Sequence, residues 1–232
     1  MKSKLILLLT VVLVELLLLR LGFWQLSRAA QKQQQLDALQ VVLTQKHAGD
    51  ISTASPQNTD FDWVQGILRF QTKPMLLLDN QRRGQQVGVI VYQAGLNESG
   101  QAFLVDLGWL PVAGNRQFPM TVPLTGPVAV SGLLMPPPSA GIAMGNAQSQ
   151  MPDGRLLLTR MDLPALAKQL QKPLANRVLR LDPALPIGYQ RDLDVQANTL
   201  SPEKHRAYAV QWFGLAVALL LLCVYGYRRK KV

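Results

Sequence analysis

From Ala207 to Tyr227 the chain runs for 21 residues with no ionisable side chain except Cys223 and its tyrosines. At ~1.5 Å of rise per residue, a helix of that length covers about 31 Å, close to the hydrocarbon thickness of a bilayer. In lipid every backbone N–H and C=O must be satisfied within the segment, so such a run folds as a spanning helix. Tyr208 and Trp212 mark one interface, and Tyr225, Tyr227 and the basic run Arg228 to Lys231 mark the other.

A second apolar run, Leu5 to Phe23, follows Lys2 and Lys4 and is interrupted by Thr10, Glu15 and Arg20. It reads as an uncleaved anchor, because it is longer than a signal-peptide core of ~7 to 15 residues. The rival reading is a cleaved secretion signal, with Ser27-Arg28-Ala29 as a poor cleavage site. Two spans place both termini on one side, and the terminal lysines and arginines assign that side to the cytoplasm. Glu15 and Arg20 are about 140° apart at ~100° per residue, so they cannot easily pair on one helix. An ionisable group at the depth of Glu15 faces a neighbouring helix or a cavity.

The net charge of +10 first suggests a nucleic-acid binder. Between Gln33 and Lys204, however, 14 Lys and Arg stand against 13 Asp and Glu. The excess therefore lies in and beside the apolar runs, which fits attachment to an anionic bilayer surface and removes the case for a nucleic-acid face. The one cysteine, Cys223, has no partner for an intrachain disulfide, so the middle of the chain must be held by its own core.

Leu36, Leu39 and Leu43 in a Gln-rich stretch predict that the first helix continues as an amphipathic stalk. Period-two patterns then predict strands at Trp63 to Phe70, Pro74 to Leu78, Val87 to Gln93, Ala102 to Leu107, Pro127 to Met135, Arg155 to Arg160 and Arg177 to Asp182. A hairpin loop is expected at Gly95 to Gly100, a long loop at Ser139 to Gly154, and a short helix capped by Asp162 with Pro164 in its first turn. The expected fold is two transmembrane helices flanking one mostly β (α+β) extracytoplasmic domain. Its parts are a tail 1–4, a first span 5–26, a stalk 27–50, a β-rich domain 51–204, a second span 205–227 and a basic tail 228–232.

Catalysis finds little support. With only His47, His205 and a thiol in a span, neither a Cys-His pair nor a multi-histidine metal site can be assembled. No phosphate-binding glycine loop follows a strand. No enzymatic activity is expected.

Three motifs carry a resemblance: Leu21-Gly22-Phe23-Trp24-Gln25-Leu26-Ser27-Arg28 followed by Lys32, then Val105-Asp106-Leu107-Gly108-Trp109-Leu110-Pro111, and Lys204-His205-Arg206-Ala207-Tyr208-Ala209-Val210-Gln211-Trp212-Phe213. Together, and in this order, they resemble the surfeit locus protein one family of cytochrome c oxidase assembly factors across nearly the whole chain. Leu107, where the family commonly has arginine, and Arg160-Met161, where it often has Trp-Pro, depart from the pattern. The resemblance implies a role in building haem-copper oxidase at the step where haem a enters subunit I, with oxidase subunit I and other assembly factors as partners. It also implies haem a as a transient cofactor with His205 as iron ligand. A neutral imidazole can ligate haem iron, while Tyr208 and Trp212 cover the ring and Arg206 meets the propionates. The competing reading of His205 is an interfacial histidine in an aromatic belt. Glu15, Trp24, Gln25, Arg28, Gly108, Trp109, Pro111 and Gln211 are the expected partner contacts. The lack of an Arg- and Ser-rich presequence points to a bacterial inner membrane, with the main domain periplasmic. The alternative is a cofactor-free scaffold or interaction protein of the cell envelope.

Overall fold

The computed structural model describes residues 2–58, 60–138, 145–195 and 200–229. The chain forms two compact units, one of Met1–Ala38 with Thr199–Val232 and one of Leu39–Asn198. Part of the expected loop 139–154 and the end of the basic tail lie outside the described residues.

The first unit consists of two helices, α1 (Lys2–Gln45), whose last turns belong to the other unit, and α3 (Pro202–Arg229). Both are long and apolar enough to cross a membrane, and only 6% and 11% of their most apolar windows are buried. A core helix of a soluble protein would be mostly buried, so this exposure is compatible with a membrane protein. The anticipated span and stalk form one unbroken helix. It stops where Lys46 turns left-handed at φ 44°, five residues before the expected end of the stalk at residue 50.

The second unit is a mixed sheet. Its strands are β1 (Gly49–Asp50), β2 (Asp62–Phe70), β3 (Leu76–Arg83), β4 (Gln86–Leu96), β5 (Ala102–Pro111), β6 (Gly126–Met135), β7 (Gln148–Gln150), β8 (Leu156–Leu158) and β9 (Leu174–Leu181), with the helix α2 (Leu163–Leu170) between β8 and β9. The order is β1-β2-β6-β9-β5-β4-β3-β8-β7, and β2 also pairs with β4 at Arg69↔Leu96 and Phe70↔Gly95. That last pairing closes β2, β6, β9, β5 and β4 into a circuit, leaving only the short strands β1 and β7 at the ends of the order.

Four strands outrun the sequence pattern: β4 reaches Leu96, two residues into the expected hairpin loop, β9 starts early at Leu174, and β3 and β5 run furthest past their expected ends. β3 continues past Leu78 to Arg83 because Asn80, at φ 57°, absorbs a bulge between Leu78 and Gln81. Its polar residues Asp79 to Arg83 read as a loop in sequence. β5 continues past Leu107 through a bulge against Val91 and Tyr92, made possible by Gly108 at φ 119°, so Gly108 to Pro111 also lie in the strand.

Alternate β5 side chains enter different cores. Phe103, Val105 and Leu107 face the interior of the circuit with Leu68, Val89, Val91 and Leu179. Leu104 packs on the other face with Leu76, Tyr92, Val178 and, from α2, Leu163 and Leu166. α2 begins as expected: Asp162 Oδ1 accepts from the Ala165 N–H at 3.0 Å, and Pro164 sits in the first turn. A third cluster joins Leu39, from the end of α1, to Trp63, Leu133 and Met135. There the Lys46 ammonium lies 4.4 Å from the centre of the Trp63 ring and 3.4 Å from Asp182.

Candidate functional site

Along α1 the covered positions include Val11, Glu15, Leu18, Gly22, Gln25 and Ala29; along α3 they include Pro202, His205, Ala209, Trp212, Ala216, Leu219, Cys223 and Gly226. Spacings of three and four alternate in both series, the heptad pattern by which two paired helices keep one stripe in contact. The pair is antiparallel, since Gln25 meets His205 while the earlier Gly22 meets the later Phe213. Small residues permit the close approach. A Cβ on Gly22 would lie 2.5 Å from Cε1 of Phe213, and the Phe213 ring stands edge-on to Phe23 with centroids 5.2 Å apart.

His205 sits in the first turns of α3, its backbone N–H donating to Ser201 O at 3.1 Å. The imidazole is 8% exposed, and its Nδ1 lies 2.6 Å from Oε1 of Gln25, which is 9% exposed. An amide oxygen only accepts, so Nδ1 carries the proton of this bond, and in the neutral imidazole the lone pair is then on Nε2. Lys204 and Arg206 flank the histidine in sequence, both exposed. Tyr208, one turn on, is exposed, and Trp212, two turns on, is half-buried in the helix contact. The four residues expected to hold a cofactor thus lie within two turns, with His205 and Trp212 on the covered stripe and Arg206 and Tyr208 outside it.

The expected partner residues divide between the units. On α1, Trp24 and Arg28 are exposed, and Arg28 donates to Gln31 Oε1 at 3.0 Å. Glu15 is half-buried on the stripe, and its Oε2 is buried without a hydrogen-bond partner among the described residues. Gln211 on α3 is exposed.

Gly108 and Trp109, in the β unit, have internal tasks. Trp109 is 8% exposed, with its backbone N–H on Gln190 O at 2.8 Å and its indole N–H on Gln81 O at 2.9 Å. A Cβ on Gly108 would come within 2.6 Å of Tyr189 O. Their backbone and ring surfaces serve contacts within the β unit, and Pro111 at the strand end is exposed.

Sequence reasoning missed the polar cluster behind this motif. Asp106, 4% exposed, accepts from the Gly108 N–H at 2.9 Å and from Arg180 Nε at 3.1 Å. Burial pushes its carboxyl above the usual range, against the pull of Arg180 and the Gly108 N–H. The fully buried Tyr92 hydroxyl is raised as well, by burial and then by the Asp106 charge. Arg177 was missed too: it is 0% exposed, paired with Asp62 at 2.7 Å and donating to Leu134 O at 3.1 Å. A lone arginine in an alternating strand gives no local sign that it points inward.

Among the described residues no three His, Cys, Asp or Glu side chains gather as a metal site. A cleft of about 320 Å³ in the β unit is lined by Asp50, Glu98 and Gln65 with small and aliphatic neighbours, and offers neither imidazole nor cation. Among the described residues, the His205 region combines a nitrogen donor, aromatic surface and exposed cations.

The SURF1 family model matches residues 12–217, a span that takes in all three motifs. A comparison with curated proteins gave no match. That family is one of assembly factors associated with cytochrome oxidase and is not a known enzyme family. With the match covering most of its length, this chain belongs to the SURF1 family.

Proposed function

We propose that this protein assists delivery or insertion of haem a into subunit I of an a-type oxidase, and that His205 is the haem ligand. The observation that carries this reading is the His205 imidazole, held at Nδ1 by Gln25 at one end of an apolar helix pair and flanked by Lys204 and Arg206. The residues present fit a haem. Nε2 would supply a nitrogen donor to the iron, Tyr208 and Trp212 would supply aromatic surface, and Arg206 and Lys204 would match two carboxylates. Haem a, once installed, supplies the redox iron of the oxidase; this chain only binds it and passes it on. A single protein donor would suit that task, because each further protein ligand would slow release. The two helices lie in a bacterial inner membrane with both termini cytoplasmic, the β unit is periplasmic, and Trp24, Arg28, Pro111 and Gln211 meet oxidase subunit I or another assembly factor.

The test is the haem content of the purified full chain beside His205→Ala, with reduced-minus-oxidised spectra of membranes from cells lacking the protein. Loss of haem in the variant and a fall of the a-type signal alone are expected. Wild-type haem content in His205→Ala would remove the histidine from the site. An unchanged a-type signal would remove the oxidase role.

A second reading is favoured by Glu15, whose Oε2 is buried and unpartnered among the described residues. A cofactor-free scaffold of the envelope would use such a group to hold a partner's polar residue within the membrane. Co-purification of oxidase subunits with a haem-free protein, lost in Glu15→Leu, would favour it.

A further inference from the structure

The bond between Gln25 and His205 joins residues 180 apart in sequence, and it places a proton on one named ring nitrogen of the histidine. We propose that Gln25 is the positioning residue of this site, locking His205 in its Nδ1–H tautomer so that the Nε2 lone pair faces a metal-centred ligand. This rests on the haem reading of His205 for the identity of that ligand, while the proton on Nδ1 follows from its contact with the Gln25 amide oxygen.

Three observations converge on it. The contact is short, 2.6 Å, and both partners are at least nine-tenths buried, so water does not replace either group. Gln25 cannot drift along α1, because Gly22, one turn before it, is pressed against Phe213. His205 is likewise set by its place on α3, whose contacts recur at Ala209 and Trp212. Metal-binding histidines generally give their second ring N–H to a carbonyl or carboxylate, which fixes both orientation and tautomer.

The choice of an amide has a further consequence. A carboxylate in this position would draw the Nδ1 proton and make Nε2 a stronger donor, whereas a neutral amide orients the ring and leaves its donor strength ordinary. Gln25 therefore tunes His205 for holding a porphyrin iron loosely, which is what handover requires.

The experiment uses the full chain in detergent. The only other histidine is His47, so in a His47→Gln background every labelled imidazole nitrogen belongs to His205. Without haem, nitrogen chemical shifts should show a protonated Nδ1 and an unprotonated Nε2. Gln25→Leu should shift the ring towards the Nε2–H form and lower haem affinity on the order of 10-fold or more. Gln25→Glu should restore the Nδ1–H form and hold haem at least as tightly as the wild type.

An unprotonated Nδ1 in the wild type, or the same shifts in Gln25→Leu, would overturn the proposal, and neither result depends on haem. If instead the shifts behave as stated while His205→Ala binds haem like the wild type, the haem assignment fails and the positioning of His205 by Gln25 stands.

Discussion

Gly108 holds φ at 119° with Tyr189 O only 2.6 Å from where a Cβ would project. Gly108→Ala therefore combines left-handed strain with a backbone clash and should cost roughly 2 kcal/mol or more, read as a lower denaturation midpoint. Asp106, two residues earlier, couples stability to pH. Its folded carboxyl lies above the ordinary value of 3.8, so the folded state binds this proton more tightly than the unfolded one. The contribution is greatest below that ordinary value and declines as pH rises through the interval up to the raised one. Asp106→Asn keeps an acceptor for the Gly108 N–H and cannot titrate. Thermal midpoints followed from about pH 3.5 to 7 should fall less with rising pH in the variant than in the wild type. An identical pH dependence would mean that Asp106 is as ionisable folded as unfolded.

At the scale of elements, the helix pair depends on close approach. Gly22→Leu drives a side chain into the Phe213 ring and should weaken the pairing by about 1–3 kcal/mol, as overpacking of a tight contact does. Limited proteolysis of the solubilised full chain, with Gly22→Ala as the milder step, would register the loosening as faster cleavage of the helical unit. The elements themselves were unequally legible. α2 was plain in sequence because cap, proline and apolar spacing all lie within nine residues, from Asp162 to Leu170. β3 was cut short because its outer half is polar, and only pairing with β4 across a bulge keeps Asp79 to Arg83 in the sheet. β1 and β7, of two and three residues, are too short to show any period and exist through their neighbours.

At the scale of the whole molecule, the single thiol makes membrane orientation measurable. Cys223 lies within the second apolar helix, so a membrane-impermeant maleimide should leave the wild-type protein unlabelled in intact spheroplasts. Met120→Cys places a thiol at a residue 85% exposed in the β unit and should label fully without detergent if that unit is periplasmic. Labelling only after permeabilisation would put it in the cytoplasm. Legible along the chain were two helices long and apolar enough to span, the β character of the middle, the family, and His205 as the residue to test. These rest on length, periodicity and motifs, which are written locally along the chain. Tertiary structure alone decided that Gln25 meets His205, that β2 pairs with β4 to close the circuit, and that Gly108 and Trp109 are spent on internal contacts. It also decided that Asp106 meets Arg180 across two strands. Each joins residues far apart in sequence, and such a pairing leaves no periodic trace in either segment, because its partner is chosen only when the chain has folded.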